Sequence, residues 1–244
     1  SASVIAGNDG TQTNSHDGET TVSSVSGVSV SIGTATGSGI PAGLVSYYFT
    51  ITNAGNSDEA FTYSTDSANN WGLAGGAGTT ASLAMGTSET VTVVHTVSEN
   101  ANSGDSDTIT FTSGSESATA LTTAEQTYGV SIVLSSSTDS ALSPGDSFDV
   151  TYTVTNTGNG IDTFAVFFDS SWLSSSGSDE LTLSAGSPGT VTATFTVPSD
   201  AASGSSASIF ADVTGGGSSS DDSGSVSKMV LDNTRSATLS TALD

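Results

Sequence analysis

The sequence predicts an all-β chain: two tandem immunoglobulin-like β-sandwiches with short extra terminal segments. Three observations carry that expectation. The chain repeats itself at an offset of roughly 100 residues, the apolar residues of its longest runs alternate with polar ones, and Asn/Gly turn signals punctuate it with no helical period. A length of 244 residues has room for two domains of about 100 residues each.

The duplication appears first at Gly27-Val28-Ser29-Val30-Ser31-Ile32, matched by Gly129-Val130-Ser131-Ile132-Val133-Leu134, and both read as opening strands. Val45, Tyr47, Phe49 and Ile51 then match Phe148, Val150, Tyr152 and Val154. A spacing of two along the chain puts each set on one face of a half-buried strand. Both strands run into the same turn, Ile51-Thr52-Asn53-Ala54-Gly55-Asn56 and Val154-Thr155-Asn156-Thr157-Gly158-Asn159. Asn and Gly tolerate the positive φ of a tight reversal. Phe61 and Phe164 follow, then Trp71 and Trp172. A turn at Met85-Gly86 or Ala185-Gly186 leads into Val91, Val93, His95, Val97 or Val191, Ala193, Phe195, Val197. The last shared block sets Ser103-Gly104 ahead of Ile109 and Phe111 against Ser203-Gly204 ahead of Ile209 and Ala211. About seven strands per repeat are expected, with a first sandwich at 21–128 and a second at 129–232. The junction at Thr127-Tyr128-Gly129 has no Gly/Ser linker, which predicts a fixed relation between the two.

Outside the repeats lie an N-terminal tail, 1–20, and a C-terminal tail, 233–244. The first carries Val4 and Ile5 in a polar stretch; the second alternates Ala237, Leu239, Thr241 and Leu243. An alternating segment with no partner in its own domain can complete a neighbour's sheet by β-augmentation. Val4, Ile5, Ala237, Leu239 and Leu243 are therefore candidates for self-assembly, against the plainer reading of an ordinary last strand or a frayed end.

Composition narrows the function. Only 11% of residues are charged, against roughly 25% in an average domain. Twenty-five Asp and Glu face Lys228 and Arg235 alone, a net charge of −23. Nucleic acid is excluded as a partner, because phosphate binding requires Lys and Arg. A surface this acidic repels its own copies unless salt or divalent cations screen it, which suggests a saline or calcium-containing medium. With no Cys there is neither a disulfide framework nor a thiolate metal site. No run approaches the length of a membrane span, and the opening Ser1-Ala2-Ser3 is what a signal-peptidase cut leaves. No Asn heads an N-x-Ser/Thr sequon, although O-linked sugar on the many hydroxyls stays open.

Catalytic patterns are weak. A Ser-His-Asp site needs His16 or His95. His95 falls where the other repeat has Phe195, so it reads as a core or inter-domain histidine, and His16 lies in a polar tail. There is no G-x-S-x-G, and Ser225-Val226-Ser227-Lys228 matches S-x-x-K by coincidence in so serine-rich a chain. Carboxylates cluster at Asp58-Glu59, Asp105 with Asp107, and Asp221-Asp222, all read as loops. Such loops either stay solvated or, with neighbouring carbonyls, hold calcium; Asp105 and Asp107 are the first candidates as ligands. No cofactor beyond a possible Ca2+ is implied. A glycosidase would need paired carboxylates across a cleft, which the repeats do not build. Trp71 and Trp172 occupy equivalent places, so packing is the first reading and stacking on a surface glycan the second.

At Tyr152-Thr153-Val154-Thr155-Asn156-Thr157-Gly158-Asn159 and Phe195-Thr196-Val197-Pro198 the chain resembles the CARDB-like Ig-type repeats of bacterial and archaeal surface proteins. The first repeat departs from the pattern with Ser98 for Pro198 and His95 for Phe195. The resemblance implies cell-surface, adhesive or filament-forming roles and brings no catalytic residues with it. The expectation is an extracellular, non-enzymatic structural subunit that polymerises with itself into a surface filament or matrix fibre. An adhesion or carbohydrate-binding module, or a spacer of a larger surface protein, is the alternative.

Overall fold

A computed structural model describes residues 2–5, 13–16, 20–137, 142–173, 178–217 and 221–229, and these contain strands and turns with no helix. The N-terminal segment, read as a tail, turns back on itself. β1 (Ala2–Ile5) pairs antiparallel with β2 (Thr13–His16), setting Val4 opposite Asn14 and Ile5 opposite Thr13.

The first sandwich is built from β3 (Val28–Ile32), β4 (Thr36–Gly39), β5 (Leu44–Asn53), β6 (Thr62–Ser67), β7 (Gly72–Ala74), β8 (Ala77–Thr79), β9 (Ser88–Thr96), β10 (Ser106–Ser113) and β11 (Glu116–Ala124). One sheet runs β3-β5-β9-β7 and the other β4-β11-β10-β6-β8. The opening strand divides at Ile32-Gly33: its first half pairs antiparallel with β5, and its second crosses to the opposite sheet to run parallel to β11. That division, and the short β7 and β8 on either side of Gly75 at φ +79°, bring this sandwich to nine strands where seven were expected.

The second sandwich comprises β12 (Val130–Ser137), β13 (Ser147–Asn156), β14 (Asp162–Asp169), β15 (Ser178–Leu183), β16 (Pro188–Thr196), β17 (Ser206–Thr214) and β18 (Asp221–Met229). Its sheets run β12-β13-β16 and β15-β14-β17-β18. Register repeats with the sequence: Val45 faces His95 and Tyr47 faces Val93 as Phe148 faces Phe195 and Val150 faces Ala193.

Alternation decides what is buried. In β5, Tyr47, Phe49, Ile51 and Asn53 point inward; in β13, Phe148, Val150, Tyr152, Val154 and Asn156 do. Each large apolar side chain taken fully out of water contributes about 1.5–3 kcal/mol. Phe49 stacks on Phe111 at 4.6 Å, while the second core gathers Phe148, Phe168, Phe195 and Trp172. The outer faces are wet by hydroxyls that bond across strands, Thr52 to Ser88 at 2.7 Å and Thr151 to Thr192 at 2.8 Å among them. Both Asn turns have the same wiring. Asn53 donates its amide to the carbonyls of Ser57 and Leu83 and accepts from the Gly55 N–H; Asn156 donates to Gly160 and Leu183 and accepts from Gly158.

Candidate functional site: a buried charge pair and the joint between sandwiches

Two polar assemblies stand out from these apolar cores. The first occupies the end of the first sandwich where β5, β9, β10 and β11 converge. His95 on β9 faces inward because it continues the alternation Val91, Val93, and it is wholly buried. Its Nε2 lies 3.0 Å from Asp107 Oδ2, and its Nδ1 lies 2.7 Å from the Thr122 hydroxyl. Thr122 in turn is 2.8 Å from the Tyr47 hydroxyl, which donates to the Leu121 carbonyl at 2.9 Å. Asp107, His95, Thr122 and Tyr47 thus form one continuous chain of hydrogen bonds that ends on the Leu121 carbonyl. Burial alone pushes the Asp107 carboxyl up. The Ser67 hydroxyl, the Asn69 N–H and His95 outweigh it and hold the group below its ordinary value. Burial raises Tyr47, and its bond with Thr122 offsets part of that.

Asp107 also receives the Trp71 N–H at 3.3 Å, so a single carboxylate gathers three points of the 67–71 loop. The Trp71 ring lies over the imidazole at 5.6 Å. Beside it opens a pocket of about 320 Å³ lined by Ala42, Asn70, Trp71, Thr96, Ser98 and Glu99. Ala42 and Asn70 hold φ of 63° and 57°, and the turn at Ala42 is the one that the second repeat makes with Gly145 at 87°. The second repeat fills the place of the charge pair with Phe195 and Ala207, and its Trp172 sinks edge-on against Phe148. Asp, His and Thr thus stand in the order of a proton relay, but all three are sealed from solvent. What this relay does is fix a loop.

The second assembly is the joint between the sandwiches. Asn159, in the Asn turn of the second repeat, accepts the Thr127 N–H at 2.6 Å and donates to the Glu125 carbonyl at 2.9 Å and the Ala101 carbonyl at 3.1 Å. Its own carbonyl takes the Ser103 N–H at 2.9 Å. Gln126 donates to Ile161 at 3.1 Å, and the Tyr128 ring lies so close on Gly217 that a Cβ there would meet it at 2.2 Å. Clefts of about 340 and 380 Å³ flank Asn159, and Asn102, Asn159 and Ala185 line both.

The candidates from sequence scatter. Asp107, read as a loop ligand for calcium, is a buried strand residue, because it belongs to the inward series Asp107, Ile109, Phe111; its oxygens are occupied by Ser67, Asn69, Trp71 and His95. Asp105 is exposed and accepts the Asn102 N–H of its own turn at 2.8 Å. The two do not share a site, and no group of three or more His, Asp or Glu among the described residues is placed to hold a metal. Glu59 bridges to Leu83 and takes the Ser26 hydroxyl. Asp221, Asp222 and the Ser225–Lys228 stretch lie in β18, and His16 lies in β2. Val4 and Ile5 are in β1, whereas Ala237, Leu239 and Leu243 lie outside the described residues. No described helix is long and apolar enough to cross a membrane. Sequence reasoning missed Ser67, Thr122 and Asn159 as members of these assemblies; for Asn159 the signal was its recurrence as Asn56.

No family model matches the chain, and no curated protein does. Among solved structures it is similar to a red sea bream transglutaminase at 10% identity, covering 88% of this chain and 32% of that one with a TM-score of 0.33. It is also similar to CBD12 from CALX1.2 at 9% identity, covering 77% of this chain and 79% of that one with a TM-score of 0.31. The chain spans about a third of the transglutaminase's length.

Proposed function

We propose that this chain is an extracellular, non-enzymatic structural subunit that assembles with copies of itself into a surface filament or matrix fibre. The observation that carries the reading is the sheet formed by β1 and β2, which has two strands and, among the described residues, no third. A hairpin alone is marginal in water, and its outer edges offer unpaired main-chain groups to another chain. It stands ahead of a tandem pair whose joint is hydrogen-bonded, the arrangement of a repeating strut. The buried His95–Asp107 cluster serves a loop, and the surface of hydroxyls and carboxylates suits screening by salt.

Electron microscopy of the purified chain in high and low salt tests this, with deletions of residues 1–20 and 236–244 alongside. Filaments of uniform width are expected from the full chain in high salt, and their loss on removing the hairpin. Monomers at every salt concentration, especially ones that bind a saccharide saturably, would move the assignment to an adhesion or carbohydrate-binding module. Filaments unaffected by both deletions would remove strand donation as the mechanism.

A further inference from the structure

The joint between the sandwiches is made of duplicated parts, and one half of it recurs unused at each end of the tandem pair. Asn56 holds the segment before the first sandwich as Asn159 holds the linker before the second. Its Oδ1 accepts the Val25 N–H at 2.7 Å, its amide donates to the Ser23 carbonyl at 3.0 Å, and its own N–H donates to Val25 at 3.1 Å. The matching bonds of Asn159 go to Thr127, Glu125 and Thr127. Asn159 then reaches across the joint to the Ala101 carbonyl and receives the Ser103 N–H. At Asn56 the corresponding amide hydrogen and main-chain carbonyl meet no partner among the described residues.

The complementary half recurs at the far end of the second sandwich. The Ala201 N–H donates to Pro198 at 3.1 Å as the Ala101 N–H donates to Ser98 at 3.1 Å. Ser205 bonds to Ala202 as Asp105 bonds to Asn102, each at 3.0 Å, and Gly204 and Gly104 turn the chain at φ of 82° and 86°. The Ala201 carbonyl and Ser203 N–H are therefore set out in the same loop as the groups that Asn159 grips. Around Asn56 the surface is apolar where a free end has no need to be: Val22, Val25 and Met85 are 87%, 61% and 65% exposed. Met85 stands where the second repeat has Ala185, which lines both clefts of the internal joint.

We infer that the Asn56 end of one copy docks on the 198–204 loop of another, so that the contact between copies reproduces the joint within each copy. This rests on the reading of the chain as a self-assembling subunit and names the contact. Unlike surfaces that meet head to tail propagate without limit unless their rotation closes a ring. Four differences set the contact apart from the internal joint. Asp58 and Asp200 stand where the internal joint has Ile161 and Asn100, while Ser199 and Ser23 stand where it has Glu99 and Glu125, so the carboxylates change place and not number. Repulsion between two copies that each carry a net charge of −23 is screened within about 3 Å in 1 M salt, against about 10 Å at 0.1 M. Assembly through this contact accordingly rises with ionic strength.

The chain has no native Cys, which makes the test direct. Met85→Cys with Ala202→Cys places one thiol on each side of the contact; Ala185→Cys with Asn102→Cys places the same pair across the internal joint as a control. A short bismaleimide added in high salt should link the first variant into a ladder of dimers, trimers and longer species on a denaturing gel. The control should close within single chains, and each single-Cys variant should give no ladder. Filaments visible by electron microscopy without a ladder would overturn this contact and leave the filament reading standing. Absence of both filaments and ladder in the double variant and the unmodified chain would remove the filament reading and the contact with it.

Discussion

At the scale of single residues, His95 and Asp107 show a sandwich accepting an imidazole and a carboxylate into its interior to hold one loop. Desolvation consumes most of what a buried carboxylate gains from its partners, but removing its charge strands the groups that bond to it at a cost of about 3–5 kcal/mol. Asp107→Asn should therefore destabilise the first sandwich by about that amount at neutral pH. The folded carboxyl is held below its unfolded value, so its contribution is complete above about pH 4 and is lost as pH falls from there through the folded value. Denaturant melts of the two proteins from pH 7 to pH 3 should show the gap narrowing below about pH 4; a gap of constant size would mean the carboxylate's charge is not what the cluster uses. The sequence made His95 legible as an inward residue, since Val91, Val93 and Val97 share its parity. Asp107 has the same parity as Ile109 and Phe111, but a carboxylate beside Asp105 and Ser106 looks like a turn. The cluster's other members Ser67, which bonds to it, and Thr122, which bonds to His95, are 40 and 15 positions away, and nothing local marks them.

At the scale of elements, the Asn turns lock the ends of β5 and β13. Asn156→Ala leaves the Gly160 and Leu183 carbonyls and the Gly158 N–H without their partner. A loss of about 2–3 kcal/mol is expected in urea unfolding of the second sandwich, with Asn53→Ala doing the same to the first. A loss under about 0.5 kcal/mol, typical of a neutral surface change, would show that water replaces the amide. These turns, and the long strands they close, could be read from Asn-x-Gly followed by a run of period two. Shorter pieces could not. β7 and β8 lie in a stretch with Gly72, Gly75, Gly76 and Gly78, where glycine hides the alternation, and their pairing comes from β9 and β6. The split of the opening strand at Gly33 left no mark that distinguished it from the unbroken β12.

At the scale of the whole molecule, the duplication announced two cores, and the missing Gly/Ser linker announced a fixed junction. The bonds that fix it were invisible, because Asn159 meets Ala101 across 58 residues of chain. Asn159→Ala should leave the stability of each sandwich nearly unchanged while loosening their mutual orientation. Residual dipolar couplings that fit one common alignment tensor in the parent chain should require two in the variant. A variant still described by one tensor would shift the role to Gln126 and the Tyr128 contact with Gly217.

The pairing of β4 with β11 has a mechanical consequence. The two strands run parallel, with Thr36 to Gly39 in register with Leu121 to Ala124, and they are close to the two ends of the first sandwich. Tension applied along the chain pulls them in opposite directions along their shared axis. Their hydrogen bonds then lie across the load and must rupture together, where an antiparallel hairpin pulled from its open end would unzip one bond at a time. A sandwich closed in this way resists being drawn out by its ends.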